Sequence, residues 1–145
     1  MSPNLSHRLA VTADADHLGA MNQRLIQDEG HRNPMTLPEL QQRMRGWLPG
    51  DYRAVLFEDT AGIAAYALFR EEPGHIYLRQ LFVERDRRRR GYGLAAMQIL
   101  RHDIWPLEKR VTVEVLVANH AALSFWKKAC FQEYCLTLEM LPRKS

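Results

Sequence analysis

Residues 87–94 read Arg-Arg-Arg-Arg-Gly-Tyr-Gly-Leu, four consecutive arginines running into two closely spaced glycines. Glycine reaches positive φ without steric penalty and lets a ligand come close to the backbone. Amides exposed at such a turn, and at the start of a following helix, point together and create a site for an anion. Arg88, Arg89 and Arg90 at its rim add forked donors suited to phosphate. The same residues also read as a solvated basic run that caps a helix. A Walker loop is excluded, because G-x-x-x-x-G-K-[ST] is absent. A dinucleotide fingerprint is excluded too, because the third glycine and a suitably placed acidic residue are missing.

The charge distribution sharpens this reading. Of 20 Lys and Arg residues 16 are arginine, and five of those lie between Arg85 and Arg90; against 17 Asp and Glu the net charge is +3. Without that run the chain would be net negative, so its basicity is local and fits one anionic ligand better than a nucleic-acid surface. Aromatic residues beside the run are few, Phe82 and Tyr92, which disfavours a platform for stacking single-stranded bases. Two cysteines, Cys130 and Cys135, are too few for a four-ligand zinc site or a disulfide framework, and they read as reduced thiols packed as small apolar groups. No metal site is expected.

The surrounding elements follow from period and punctuation. With 145 residues, 46% hydrophobic and 26% charged, the composition is that of one soluble globular domain spanning 1–145. The longest uncharged stretches run to about ten residues, against the roughly 20 a membrane helix needs, and the N-terminus shows no basic-then-apolar signal pattern; a cytoplasmic protein is expected. A strand around Arg8–Val11 precedes a helix with Leu18, Met21 and Leu25 on one side, stopped by Gly30. Thr36 and Glu39 form a capping box for a second helix. Tyr52–Glu58 and Ile63–Arg70 read as a hairpin and His75–Val83 as a third strand. A helix over Leu94–Trp105, a strand over Arg110–Val117, a helix from Asn119 to Ala129 and a last strand over Gln132–Leu141 complete the order β-α-α-β-β-β-α-β-α-β. This predicts an α/β architecture: a mixed sheet flanked by helices, antiparallel in the middle, with one right-handed parallel crossover. The apolar C-terminal strand is expected either in the core or at the edge of a homodimer.

Three motifs in order carry a resemblance. Leu81-Phe82-Val83 ends a strand, Arg88-Arg89-Arg90-Gly91-Tyr92-Gly93 has the form [QR]-x-x-G-x-[GA], and after a valine-rich strand comes Asn119-x-x-Ala122-x-x-Phe125-Trp126-x-x-x-Cys130-Phe131. Together they resemble the GNAT superfamily of N-acetyltransferases over roughly Ile76–Phe131. The resemblance implies that Arg88 through Gly93 bind the pyrophosphate of acetyl-CoA and that Leu94 opens the helix facing it. It implies that Leu81, Phe82 and Val83 pair with the pantetheine arm, in a splay between two parallel strands. Asn119 would hydrogen-bond that arm and also cap its helix. Phe125 and Trp126 would line the cofactor.

The resemblance also implies the chemistry. An amine must lose a proton before it attacks a thioester, so a base is required. Glu114, five residues before Asn119 in an otherwise apolar strand, matches such a base; alternatively it pairs with Arg79. Tyr77 occupies another position where relatives carry a carboxylate. Trp126 stands where many members have a tyrosine acid, and an indole N–H cannot replace a phenol as proton donor. Cys130 stands in place of the usual glycine, and is tolerated at a helix end if its φ stays negative. Acceptor recognition would fall to the first two helices and their loop, with Asp28 and Glu29 attracting a cationic amine and His31 relaying a proton. Arg79 and Gln80, on opposite faces by strand alternation, would offer one side chain to the acceptor. The function expected is therefore acetyl transfer from acetyl-CoA to a primary amine, of a small molecule, an amino acid or a protein. The rivals are a non-catalytic acyl-CoA-binding regulatory module and a nucleic-acid binder using Arg85–Arg90.

Overall fold

The computed structural model describes residues 3–30 and 32–143, and the chain divides into two compact units, 1–114 and 115–145. In the first, β1 (Ser6–Leu9) is followed by α1 (Ala15–Glu29) and α2 (Leu37–Trp47). Then come β2 (Tyr52–Asp59), β3 (Gly62–Glu72), β4 (His75–Val83), α3 (Tyr92–Ile99) and β5 (Arg110–Val113). The strands form one sheet in sequential order. The first four are antiparallel and β4 and β5 are parallel, the mixed arrangement the strand order predicts.

Local signals explain the helix ends. Gly30 takes φ 63° and stops α1. Thr36 and Glu39 close their capping box, with the Glu39 N–H donating to Thr36 Oγ1 and the Thr36 N–H to Glu39 Oε1. Alternation along β2, β3 and β4 then separates two apolar faces. Tyr52, Ala54, Leu56, Tyr66, Leu68 and Phe82 pack with Leu18, Met21, Leu25 and Met44 of α1 and α2. The opposite face includes Phe69, which meets the edge of Trp105 with ring centres 5.4 Å apart.

Two irregularities matter for the site. Along β3 and β4 the register shifts, so that Leu68 faces Gln80 and Phe69 faces Leu78, leaving Arg79 as the extra residue of a bulge. Along β4 and β5 the pairing covers only His75–Leu78, against Arg110–Val113. On that side Arg79–Val83 have no partner strand among the described residues.

Some expectations are corrected. β1 starts and ends two residues earlier than predicted, and β5 ends at Val113 rather than Val117. The third helix begins at Tyr92 and its last turn widens, with the Trp105 N–H donating to the Leu100 carbonyl five residues back. In the second unit α4 (His120–Lys128) forms as expected, but the last strand does not: Gln132–Leu141 pairs with no strand among the described residues. Alternating side chains define a face but provide no partner for the backbone, and Leu138 and Met140 remain 84% and 96% exposed. Both cysteines are free and exposed rather than packed.

The end of α4 is a further correction. Cys130 has φ 73°, not a negative value. The Phe131 N–H donates to the Trp126 carbonyl and the Cys130 N–H to that of Lys127, while the Trp126 and Phe131 rings lie 5.1 Å apart. This is the double-bonded helix stop usually built on glycine, here formed with a side chain at a strain of about 1 kcal/mol.

Candidate active site

The turn after β4 is built from alternating conformations. A 3-10 turn over Arg85–Arg87 leads to Arg88 in extended geometry, Arg89 at φ 62°, and Gly91 at φ 80°, immediately before α3. An arginine in the left-handed region is unusual and carries a steric cost. The first bond of α3 runs from the Ala95 N–H to the Gly91 carbonyl. The N–H groups of Tyr92, Gly93 and Leu94 thus have no acceptor within the helix. These donors, at the positive end of the helix dipole, suit a phosphate.

The guanidiniums of the run have other occupations. Arg87 donates to Asp59 at 3.1 Å with only 11% of its side chain exposed, and the Tyr92 hydroxyl donates to the same carboxylate at 2.8 Å. Those bonds hold Asp59 well below the usual carboxyl range. Arg85 and Arg88 both reach Asp28, at 2.6 and 2.5 Å, and Arg88 also donates to the Val83 carbonyl at 2.9 Å. Burial works to raise the Asp28 carboxyl, but the bonds from Arg88 and Arg85 outweigh it and leave it lowered. Arg90 donates to the Asp86 carbonyl and lies 5.3 Å from the Tyr92 ring. Arg89, exposed, has no hydrogen bond or ion pair among the described residues. Asp28, expected to attract a cationic acceptor, is thus neutralised within the fold.

A second group assembles at the other end of β4. The Tyr77 hydroxyl donates to Glu114 Oε1 at 2.6 Å, so Glu114 meets Tyr77 and not Arg79. Burial first, and then the Glu114 carboxylate, push the Tyr77 phenol up to about 12, which keeps it a donor at neutral pH. Arg79 Nη1 donates to the Tyr52 hydroxyl at 3.2 Å and lies 4.8 Å from the Trp47 ring centre. Arg43 lies 4.3 Å from the same ring and donates to Asn22 Oδ1 at 3.0 Å. Gln80 accepts from the Tyr66 hydroxyl at 2.8 Å. Since Tyr52 and Tyr66 share one core face, the bulge puts Arg79 and Gln80 toward the same side, where simple alternation would have separated them.

Other residues named from the sequence lie as follows. Phe82 is buried beneath Arg24 and Arg88, whose guanidinium carbons are 5.9 and 5.4 Å from its ring centre. Leu81 and Val83 are half-buried and Leu94 is exposed. Glu29 is the last residue of α1, and His31 lies outside the described residues. In the second unit Asn119 caps α4, its Oδ1 accepting from the Ala122 N–H at 3.1 Å. There Phe125 and Trp126 meet edge to face at 4.9 Å. Asn22, Arg43 and Trp47 carry no motif that singles them out in the sequence, and Tyr52 reads only as the start of a strand. Among the described residues no group of His, Cys, Asp and Glu could hold a metal ion, and no helix is long and apolar enough to cross a membrane.

Comparison with known proteins agrees with this fold. The model of the acetyltransferase (GNAT) family matches residues 22–130. A possible acetyltransferase of Clostridium difficile 630 superposes with a TM-score of 0.76 at 13% identity, covering 97% of this chain and 99% of that one. The aminoglycoside antibiotic 6′-N-acetyltransferase of Acinetobacter baumannii gives 0.73 at 13%, covering 98% and 100%. A predicted acetyltransferase of Clostridium acetobutylicum, solved with acetyl-CoA, gives 0.71 at 18%, covering 95% and 96%. At such identities the likeness is one of fold. No curated protein sequence matches significantly.

Proposed function

The chain belongs to the acetyltransferase (GNAT) family, and from that premise we propose that it transfers the acetyl group of acetyl-CoA to a primary amine by direct attack on the thioester. The observation that carries the proposal is the continuity of β4 with its turn. Backbone left without a parallel partner from Arg79 to Val83 leads, through the turn over 84–91, to a helix start whose first N–H groups have no acceptor among the described residues. The donor set suits the cosubstrate, since a pyrophosphate needs convergent N–H groups and an extended amide chain needs an open strand edge. Acetyl-CoA supplies an activated carbonyl and a thiolate leaving group.

This chain's own residues then have distinct tasks. The N–H groups of Tyr92, Gly93 and Leu94 hold phosphate oxygens, and Arg89 adds charge at the rim. The open edge of Leu81–Val83 aligns the extended arm, and its N–H groups stabilise negative charge on the carbonyl oxygen. Glu114 accepts the proton of the incoming amine, directly or through a water, while the Tyr77 hydroxyl orients its carboxylate.

Thermal unfolding with acetyl-CoA, with ATP and a short RNA as controls, tests the cosubstrate, and thiol release with amines tests the transfer. At 100 times its Kd acetyl-CoA raises Tm by roughly 5–10 °C. No shift with acetyl-CoA overturns the proposal. A shift with RNA alone reassigns the arginine run, and binding without turnover on any amine makes the protein a non-catalytic acyl-CoA-binding module.

A further inference from the structure

Building on the acetyl-transfer reading, we infer that the acceptor is a small zwitterionic amine whose carboxylate or phosphate is held by Arg43 and Arg79. These two guanidiniums lie against one indole, that of Trp47. Neither forms an ion pair with any carboxylate among the described residues. At 4.3 and 4.8 Å from one ring centre the two charges lie within about 9 Å of each other, and like charges in that range repel unless an anion lies between or beside them. Burial lowers the pKa of Arg43, and the Arg79 charge lowers it further.

A second observation points the same way. Asn22 is 1% exposed, its Oδ1 accepts from Arg43 Nη2, and its Nδ2 has no partner; Arg43 Nε is likewise buried and unbonded. Native proteins seldom leave such donors unsatisfied, and donors alone call for an acceptor ligand. The rings add no competing negative charge, and their faces are where a guanidinium rests when it has no carboxylate.

The position relative to the proposed base sets the size. Arg79 and Tyr77 are two residues apart on β4, about 7 Å along a strand. An amine at Glu114 and an anion at Arg79 therefore belong to one small molecule. Such a site disfavours polycations, the class that the aminoglycoside-acetylating neighbours act on.

The test is a set of matched acceptors assayed by release of the coenzyme A thiol. L-Phenylalanine and β-alanine are compared with their amides, O-phosphoethanolamine with ethanolamine, and spermidine and kanamycin serve as polycations. An amide's amine is the less basic and is more available as a nucleophile at neutral pH, so a preference for the acid reports recognition. The acids or the phosphate are expected to exceed their matched partners at least about tenfold in kcat/KM, and the better of the two identifies the anion. Arg79→Gln and Arg43→Gln lower that ratio about 10- to 100-fold, the loss of one charged hydrogen-bonded contact. Retained Tm and acetyl-CoA binding establish that the variants fold. A ratio near one, a preference for the polycations, or a ratio unchanged in both variants overturns the inference while leaving acetyl transfer intact. If no amine turns over, acetyl transfer fails instead, and the anion site is read from stabilisation by N-acetyl-L-phenylalanine against its amide. Stabilisation by the acid alone, lost in both variants, supports the site; equal effects overturn it.

Discussion

Arg85, Arg87 and Arg88 each lie against a carboxylate, whereas Arg43 and Arg79 lie against an aromatic ring with no carboxylate paired to them. The first set is contiguous in sequence and conspicuous. The second is scattered over α2 and β4 and draws no notice until folded. Charge that is already paired fixes a loop, while charge left unpaired beside apolar rings is available to a ligand. The contiguous run is thus mainly a brace that shapes a turn of free N–H groups, and the scattered pair is the better candidate for recognising a second anion.

The largest expected effect lies on the β4 side that holds Arg79. Glu114→Gln lowers kcat about 100- to 1,000-fold while leaving acetyl-CoA binding and Tm unchanged, as loss of a general base does. An unchanged kcat would return Glu114 to a structural role. Next comes Arg87→Ala, which removes two charged bonds to Asp59 and lowers stability by about 2 kcal/mol, roughly 5 °C in Tm. If Tm held and only acetyl-CoA affinity fell, the run would be a direct phosphate binder and the contrast would break. Arg89→Ala should do the reverse of Arg87→Ala, raising KM for acetyl-CoA about 3- to 10-fold with no change in Tm, and less so at high salt.

Acid titration gives the smallest effect. The folded carboxyls of Asp28 and Asp59 are depressed, so their contribution is complete above the unfolded value near 3.9 and is lost as pH falls through the lower folded values. Melting curves should therefore drop progressively below about pH 4. The drop should be shallower in Arg87→Ala, where Asp59 has lost its strongest partner. An identical profile in the variant would mean that Asp59 is not depressed by Arg87.

Much of this was legible before folding because it is written in short-range chemistry. The capping box at Thr36, the stop at Gly30 and the two alternating faces need only neighbours within a few residues. The glycine turn after β4 was legible for the same reason, as was its resemblance to a known family. What was missed depends on register. The bulge at Arg79 turns two adjacent polar residues to one side, which no alternation rule yields. The strand over Gln132–Leu141 was expected from a pattern that specifies a face and leaves the partner open.

The sequence by itself determined the order of elements as far as α4, the mixed sheet and the position of the glycine turn after β4, because backbone propensity and hydrophobic period act locally. It could not determine which arginines are free. That depends on which carboxylates and rings come within a few ångströms once distant segments pack. Asp28 and Asp59 lie about 57 and 28 residues from the arginines they neutralise, and Trp47 lies on a different element from Arg79. Electrostatic interactions fall with distance in space, which chain separation does not measure. Only the tertiary structure decided where charge is spent within the fold and where it remains for an acceptor.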